Sequence, residues 1–101
     1  MKEYELTIIV PEDTQYGNIY ELDGVLRKHS PEITRYEDDG VKRLCYPIKI
    51  GGREYDRGRY LYRELRLEQG EPQKLASELN INGLVLRYLL IQKDTRRATT
   101  P

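Results

Sequence analysis

The chain has 101 residues, 38% of them hydrophobic and 34% charged, with 17 Lys and Arg against 17 Asp and Glu. One domain is all that this length supports, burying roughly 60–65% of the unfolded surface, and the even charge count excludes any argument for polyanion binding from net charge alone. No apolar run approaches the roughly 20 residues that cross a bilayer, so a cytoplasmic protein is expected, and the single Cys45 excludes an internal disulfide or a cysteine zinc cluster.

Tyr4, Leu6, Ile8 and Val10 alternate with Glu3, Glu5 and Thr7, which gives a first strand with one apolar face that ends at Pro11. Over 14–29 the apolar residues Ile19, Leu22, Val25 and Leu26 recur at spacings of three and four, the stripe of a helix that covers a sheet. Gly17 and Gly24 each weaken that helix by about 1 kcal/mol relative to Ala, so tertiary packing has to hold it. Ser30-Pro31 stops it, because the residue before a proline is pushed out of the helical region.

A second extended stretch covers 33–50, with a bend or bulge expected at Asp38-Asp39-Gly40 and with Pro47 marking a sheet edge. Gly51-Gly52 and Gly58 are read as bracketing a polar loop. A third strand follows in which Tyr60, Tyr62 and Glu64 alternate with Leu61, Arg63, Leu65 and Leu67, with Arg63 anomalous on the apolar side. Pro72 suits the first turn of a second helix with Leu75, Ala76 and Leu79 inward. Asn82-Gly83 signals a turn, 84–91 a fourth strand broken by Arg87, and 94–101 a flexible polar tail after a domain of residues 1–93.

Strand, helix, strand, strand, helix, strand is the split β-α-β order of an α+β, ferredoxin-like domain. It implies a four-stranded antiparallel sheet of order 4-1-3-2 with two helices on one face, if both crossovers are right-handed. The opposite face is then open to a partner.

Catalytic parts are scarce. There is no glycine-rich phosphate loop, no Cys-His pair and no nucleophile elbow, while Glu12-Asp13 and Asp38-Asp39 read as solvated pairs. His29 reads as a helix-end residue and Cys45 as a small packing residue of a strand. More informative are Lys42, Arg43, Arg53, Arg57, Arg59 and Arg87, interleaved with Tyr46, Tyr55, Tyr60 and Tyr62. Arginine forks hold phosphate through two donors and tyrosine rings offer flat contact, so this mixture suits RNA or a basic protein tail. A solvated edge strand that uses charge to prevent aggregation reads equally well from composition.

The opening Met-Lys-Glu-Tyr-Glu-Leu-Thr-Ile-Ile-Val-Pro, the segment Gly40-Val41-Lys42-Arg43-Leu44-Cys45-Tyr46-Pro47-Ile48 and the stretch around Val85-Leu86-Arg87-Tyr88 resemble bacterial ribosomal small-subunit protein six. The resemblance runs from the first strand to the fourth. It implies a non-enzymatic constituent of the 30S platform that contacts the central domain of 16S rRNA and pairs with ribosomal protein eighteen, with no cofactor, metal, membrane or small-molecule substrate. Lys2, Lys42, Arg43 and Arg87 fall where that family places basic residues, and Arg53, Arg57 and Arg59 are added to them as RNA contacts. Tyr46, Tyr60, Tyr62 and Leu89 are assigned to the open face offered to protein eighteen.

This chain is expected to depart from the family in a longer 51–57 loop with two extra arginines, in aromatic residues that are all tyrosine, and in a short tail. Two other readings share the fold: a regulatory domain that homodimerises and binds a metabolite, and an acylphosphatase-like enzyme. The second needs a cationic loop after the first strand, where this chain has the acidic Pro11-Glu12-Asp13.

Overall fold

The computed structural model describes residues 1–93; the predicted tail 94–101 lies outside them. Six elements follow in the expected order: β1 (Lys2–Val10), α1 (Tyr16–His29), β2 (Glu32–Ile50), β3 (Arg53–Leu67), α2 (Glu71–Ile81) and β4 (Arg87–Gln92). The strands make one antiparallel sheet in the order β2-β3-β1-β4, which is 4-1-3-2 read from the other edge. The ferredoxin-like α+β architecture is as the periodicities dictate.

The period of two in β1 sends Leu6, Ile8 and Val10 to the same side as Leu61, Leu65 and Leu67 of β3. Against them pack Ile19, Leu22 and Leu26 of α1 and Leu75 and Leu79 of α2, so both helices cover one face. Leu6, Leu26 and Leu75 are fully buried. Truncating any of them to Ala costs about 2–5 kcal/mol, because the surroundings close only partly over the void. Among the described residues a second, smaller cluster sits on the other face, where Ile9 meets Leu44 and Ile48 with Tyr55, Tyr60 and Leu86 around them.

Arg63, anomalous in the sequence, is buried beneath α1. Its Nε and Nη2 donate to the two carboxylate oxygens of Asp23 at 2.7 and 3.1 Å, and Nη1 donates to the carbonyls of Glu37 and Tyr62. His29, at the end of α1, lies between Glu71 at 3.0 Å and Glu78 at 2.7 Å and so ties α1 to α2. Ser30 terminates α1 as expected, with its N–H on the Leu26 carbonyl, and its buried hydroxyl then reaches the Arg66 carbonyl at 2.7 Å, fastening the start of β2 to β3.

Three expectations are corrected. Residues 51–57 do not form a loop: Gly51 and Gly52, with φ of 59° and 78°, make a two-residue turn, and β3 starts at Arg53. Positive φ at both central positions is what a tight hairpin turn demands and what glycine supplies freely. Cys45 is exposed, not packed. The fourth strand starts at Arg87 and not at 84, because the Asn82 side chain accepts the N–H of Leu84 at 2.9 Å and its carbonyl that of Val85 at 3.2 Å, which holds Gly83 and Leu84 in a turn from which Leu84 and Val85 still reach the core.

Candidate nucleic-acid and partner interface

Pairing of β1 with β3 stops at Val10 opposite Arg59, whereas β2 and β3 stay paired as far as Ile50 opposite Arg53. Residues 42–58 thus form a hairpin arm whose ladder involves only its own two strands. The arm carries Lys42, Arg43, Lys49, Arg53 and Arg57 against Glu54 and Asp56, while the rest of the described chain is net acidic. None of these five cations forms an ion pair with a described residue. Arg43 and Arg57 lie directly opposite each other in the ladder. Like charges in that position repel, and an incoming anion removes the repulsion. Lys42 and Arg53 rest over the rings of Tyr60 and Tyr55 at 5.3 and 5.0 Å. Arg53 and Arg57 also border an open depression of about 280 Å³ with Glu12, Asp13, Glu54 and Asp56, which offsets part of their charge.

Between the Arg43–Arg57 and Ile48–Tyr55 pairs, residues 44–47 of β2 stand opposite Asp56 alone. Leu44 and Ile48 turn inward, each 7% exposed, and the residues between them are thrown outward, leaving Tyr46 77% exposed. Extra residues in one strand bend it and re-aim its side chains. The bend brings Leu44 and Ile48 onto Ile9 and covers that end of the open sheet face. Gly58 makes the approach possible: a Cβ there would lie 2.5 Å from Ile9 Cγ2.

The remaining open face is read from the register. Arg87, Leu89 and Ile91 of β4 stand opposite Ile9, Thr7 and Glu5 of β1, which in turn face Tyr60, Tyr62 and Glu64 of β3. Leu89 and Ile91 are largely exposed. Glu5 sits directly across from Glu64. Tyr62 donates its hydroxyl to Glu64 at 2.9 Å, and Lys93 Nζ lies 3.2 Å from the same carboxylate. Those two hydrogen bonds hold the Glu64 carboxyl below its ordinary value. Burial, followed by the bond to Glu64 and the charge of Glu5, pushes the Tyr62 phenol up. Arg35 Nη1 also lies 3.4 Å from Glu64, so two cations offset that carboxylate, and Glu5, with no ion pair among the described residues, carries the acidic character of a face flanked by apolar side chains.

The predicted site residues separate into groups. Lys42, Arg43, Arg53 and Arg57 come together on the arm, and Arg87, opposite Ile9, lies at the arm's base. Arg59 donates to Asp38 at 3.0 and 3.2 Å and is not a free cation. Lys2 lies at the far end of β1, opposite Leu67, about 23 Å along the strand from Ile9. Tyr60, Tyr62 and Leu89 share the open face, whereas Tyr46 is on the arm and not with them. Sequence reasoning missed Lys49, Ile91 and the Glu5–Glu64 pair. The alternation in Ile48-Lys49-Ile50 was the available signal for Lys49.

The model of the ribosomal protein S6 family matches residues 3–92. The chain belongs to the ribosomal protein S6 family. Small ribosomal subunit protein bS6 of Ruthia magnifica is 33% identical over 97 residues, covering 93% of this chain and 82% of its own. The bS6 of Vesicomyosocius okutanii is 32% identical over 104 residues, covering 100% and 88%. The crystal structure of 30S ribosomal protein S6 from Thermotoga maritima superposes with a TM-score of 0.75 over 98% of both chains at 16% identity, which shows the shared fold. Membership makes this chain a structural constituent of the bacterial small ribosomal subunit, in the cytoplasmic ribosome. No helix among the described residues is long and apolar enough to cross a membrane.

Proposed function

We propose that this S6-family protein binds the central domain of 16S rRNA through its hairpin arm and Arg87, and pairs with ribosomal protein eighteen through its open sheet face, as a non-catalytic part of the 30S platform. The carrying observation is the apposition of Arg43 and Arg57 on an arm whose cations form no ion pair with a carboxylate among the described residues. An ion pair within the protein would leave nothing for phosphate; here the donors are unspent, and phosphate is the ligand that arginine forks match. The open face offers the opposite chemistry. Exposed Leu89 and Ile91 beside Tyr62, with Glu5 among them, suit a protein segment of apolar side chains around a basic residue.

The test is assembly of the purified protein with a central-domain 16S rRNA fragment and protein eighteen across a salt series. Each neutralised phosphate contributes about 0.7–0.9 to the slope of log affinity against log salt, so Arg43→Ala with Arg87→Ala is expected to lower the slope by about 1–2. Assembly indistinguishable from the parent at every salt concentration refutes the RNA assignment. Loss of protein-eighteen pairing on Leu89→Asp, with free RNA binding intact, is the matching expectation for the open face.

A further inference from the structure

We infer that Tyr46 is a stacking platform for one unpaired base of the bound RNA, a reading that rests on the RNA contact proposed above and moves Tyr46 away from the protein-eighteen interface. Several independent features of the arm converge on this residue. Its ring is 77% exposed, yet it is not on a slack tip: Leu44 and Ile48 on either side are each 7% exposed and anchored on Ile9. Pro47, directly behind, fixes its own φ and restricts the backbone of Tyr46 to the extended region. The extrusion costs ladder hydrogen bonds and leaves an apolar ring in water, so packing within this chain does not account for it.

The other arm-side tyrosines are already engaged. Lys42 covers the ring of Tyr60 and Arg53 that of Tyr55, while the hydroxyl of Tyr62 is held by Glu64. Among the described residues Tyr46 has neither a cation over its ring nor a hydroxyl partner. A tyrosine has two side-chain torsions, so docking a flat group on it costs little conformational entropy.

The surroundings select the flat group. Arg43 lies three residues before Tyr46 and Lys49 three after, on the same strand and free of ion pairs with described residues. An aromatic ring between two cations matches a nucleotide, whose base stacks while its neighbouring phosphates take the charges. A base inside an A-form helix has no free face to offer, so the occupant is an unpaired nucleotide in a loop, bulge or junction. A protein anchor would be expected amid apolar neighbours, as Leu89 and Ile91 are on the sheet, not on a cationic arm.

The test compares the parent with Tyr46→Ala and Tyr46→Phe in binding the central-domain 16S rRNA fragment with protein eighteen across the salt series, and in binding protein eighteen alone. Tyr46→Ala is expected to weaken RNA binding roughly 10- to 100-fold with an unchanged salt slope, and Tyr46→Phe to stay within about twofold of the parent. Pairing with protein eighteen alone is expected to be unaffected. Parent-like RNA binding by Tyr46→Ala overturns the inference and leaves the RNA reading standing. So does a loss that appears in the protein-eighteen pair without RNA, which makes Tyr46 a protein contact. Failure of the parent to bind the RNA overturns both readings. The exposure of the ring makes misfolding of the variant an unneeded explanation, and matching thermal melts of parent and variant check that directly.

Discussion

Replacing Asp23 with Asn keeps the side chain's shape and removes the charge that faces Arg63, and the structure sets the size of the effect. The Arg63 and Asp23 side chains are 6% and 12% exposed, so the guanidinium left behind has almost no water to turn to. Breaking a buried pair from one side costs about 3–5 kcal/mol. Here Nη1 keeps the carbonyls of Glu37 and Tyr62, and the guanidinium keeps the Tyr36 ring at 5.0 Å, which places the cost at the lower end, about 3 kcal/mol. In urea unfolding followed by circular dichroism, that loss lowers the midpoint by about 1–3 M. The double change Asp23→Leu with Arg63→Met removes both charges and is expected to recover most of the loss, because the desolvation cost disappears along with the attraction. An Asp23→Asn midpoint within about 0.3 M of the parent would refute the claim that this pair is buried and mutually dependent.

Gly58→Ala is expected to destabilise by about 1–3 kcal/mol, since the new Cβ meets Ile9 Cγ2 at 2.5 Å and the Val10 carbonyl oxygen at 3.2 Å; equal thermal melting of variant and parent would contradict this. Hydrogen bonding to His29, ahead of any other favourable contact, holds the Glu71 and Glu78 carboxyls below their ordinary value of 4.5. Folded values lower than unfolded ones mean that their stabilisation is complete above 4.5 and disappears as the pH falls below it through the folded values. His29→Ala is therefore expected to flatten the decline in urea midpoint on acidification from about pH 5.5 to 3.5, and an unchanged decline would exclude the clamp as its source.

Where the fold follows from spacing in the chain, the sequence displays it directly. Leu6, Ile8 and Val10 alternate, Ile19, Leu22 and Leu26 recur at helical intervals, and Ser30-Pro31 can only stop a helix. Arg63 shows the limit. Its partner Asp23 lies 40 residues earlier, on a helix position that reads as one more polar residue, and only the packing of α1 on β3 joins them. Gly58 was misleading in another way. Its glycine looks like a loop marker, but the requirement is steric: Ile9 needs the space, and the strand runs straight through. The site was half visible. The arm's cations stand out by composition, but the resemblance set Tyr46 on one face with Tyr60 and Tyr62. The additional residues opposite Asp56 break the strand's parity, and no local signal counts residues on the opposing strand. Arg59 likewise looks like its neighbours until Asp38, which the ladder sets opposite Leu61 and so diagonal to it, neutralises it.

The outer margin of β2 is a 19-residue row of backbone donors and acceptors with no neighbour among the described strands. A row of that length invites another copy to add a strand along it, and crowding during synthesis would make such encounters frequent. The three register shifts, at 33/35, 38/40 and 43/48, cut it into short tracts that an intruding strand can follow for only a few residues before its alternation fails, and Pro47 removes a donor within the last. The same irregularities that aim the arm thus help keep an unassembled chain from sticking to its siblings while it waits for its place in the subunit.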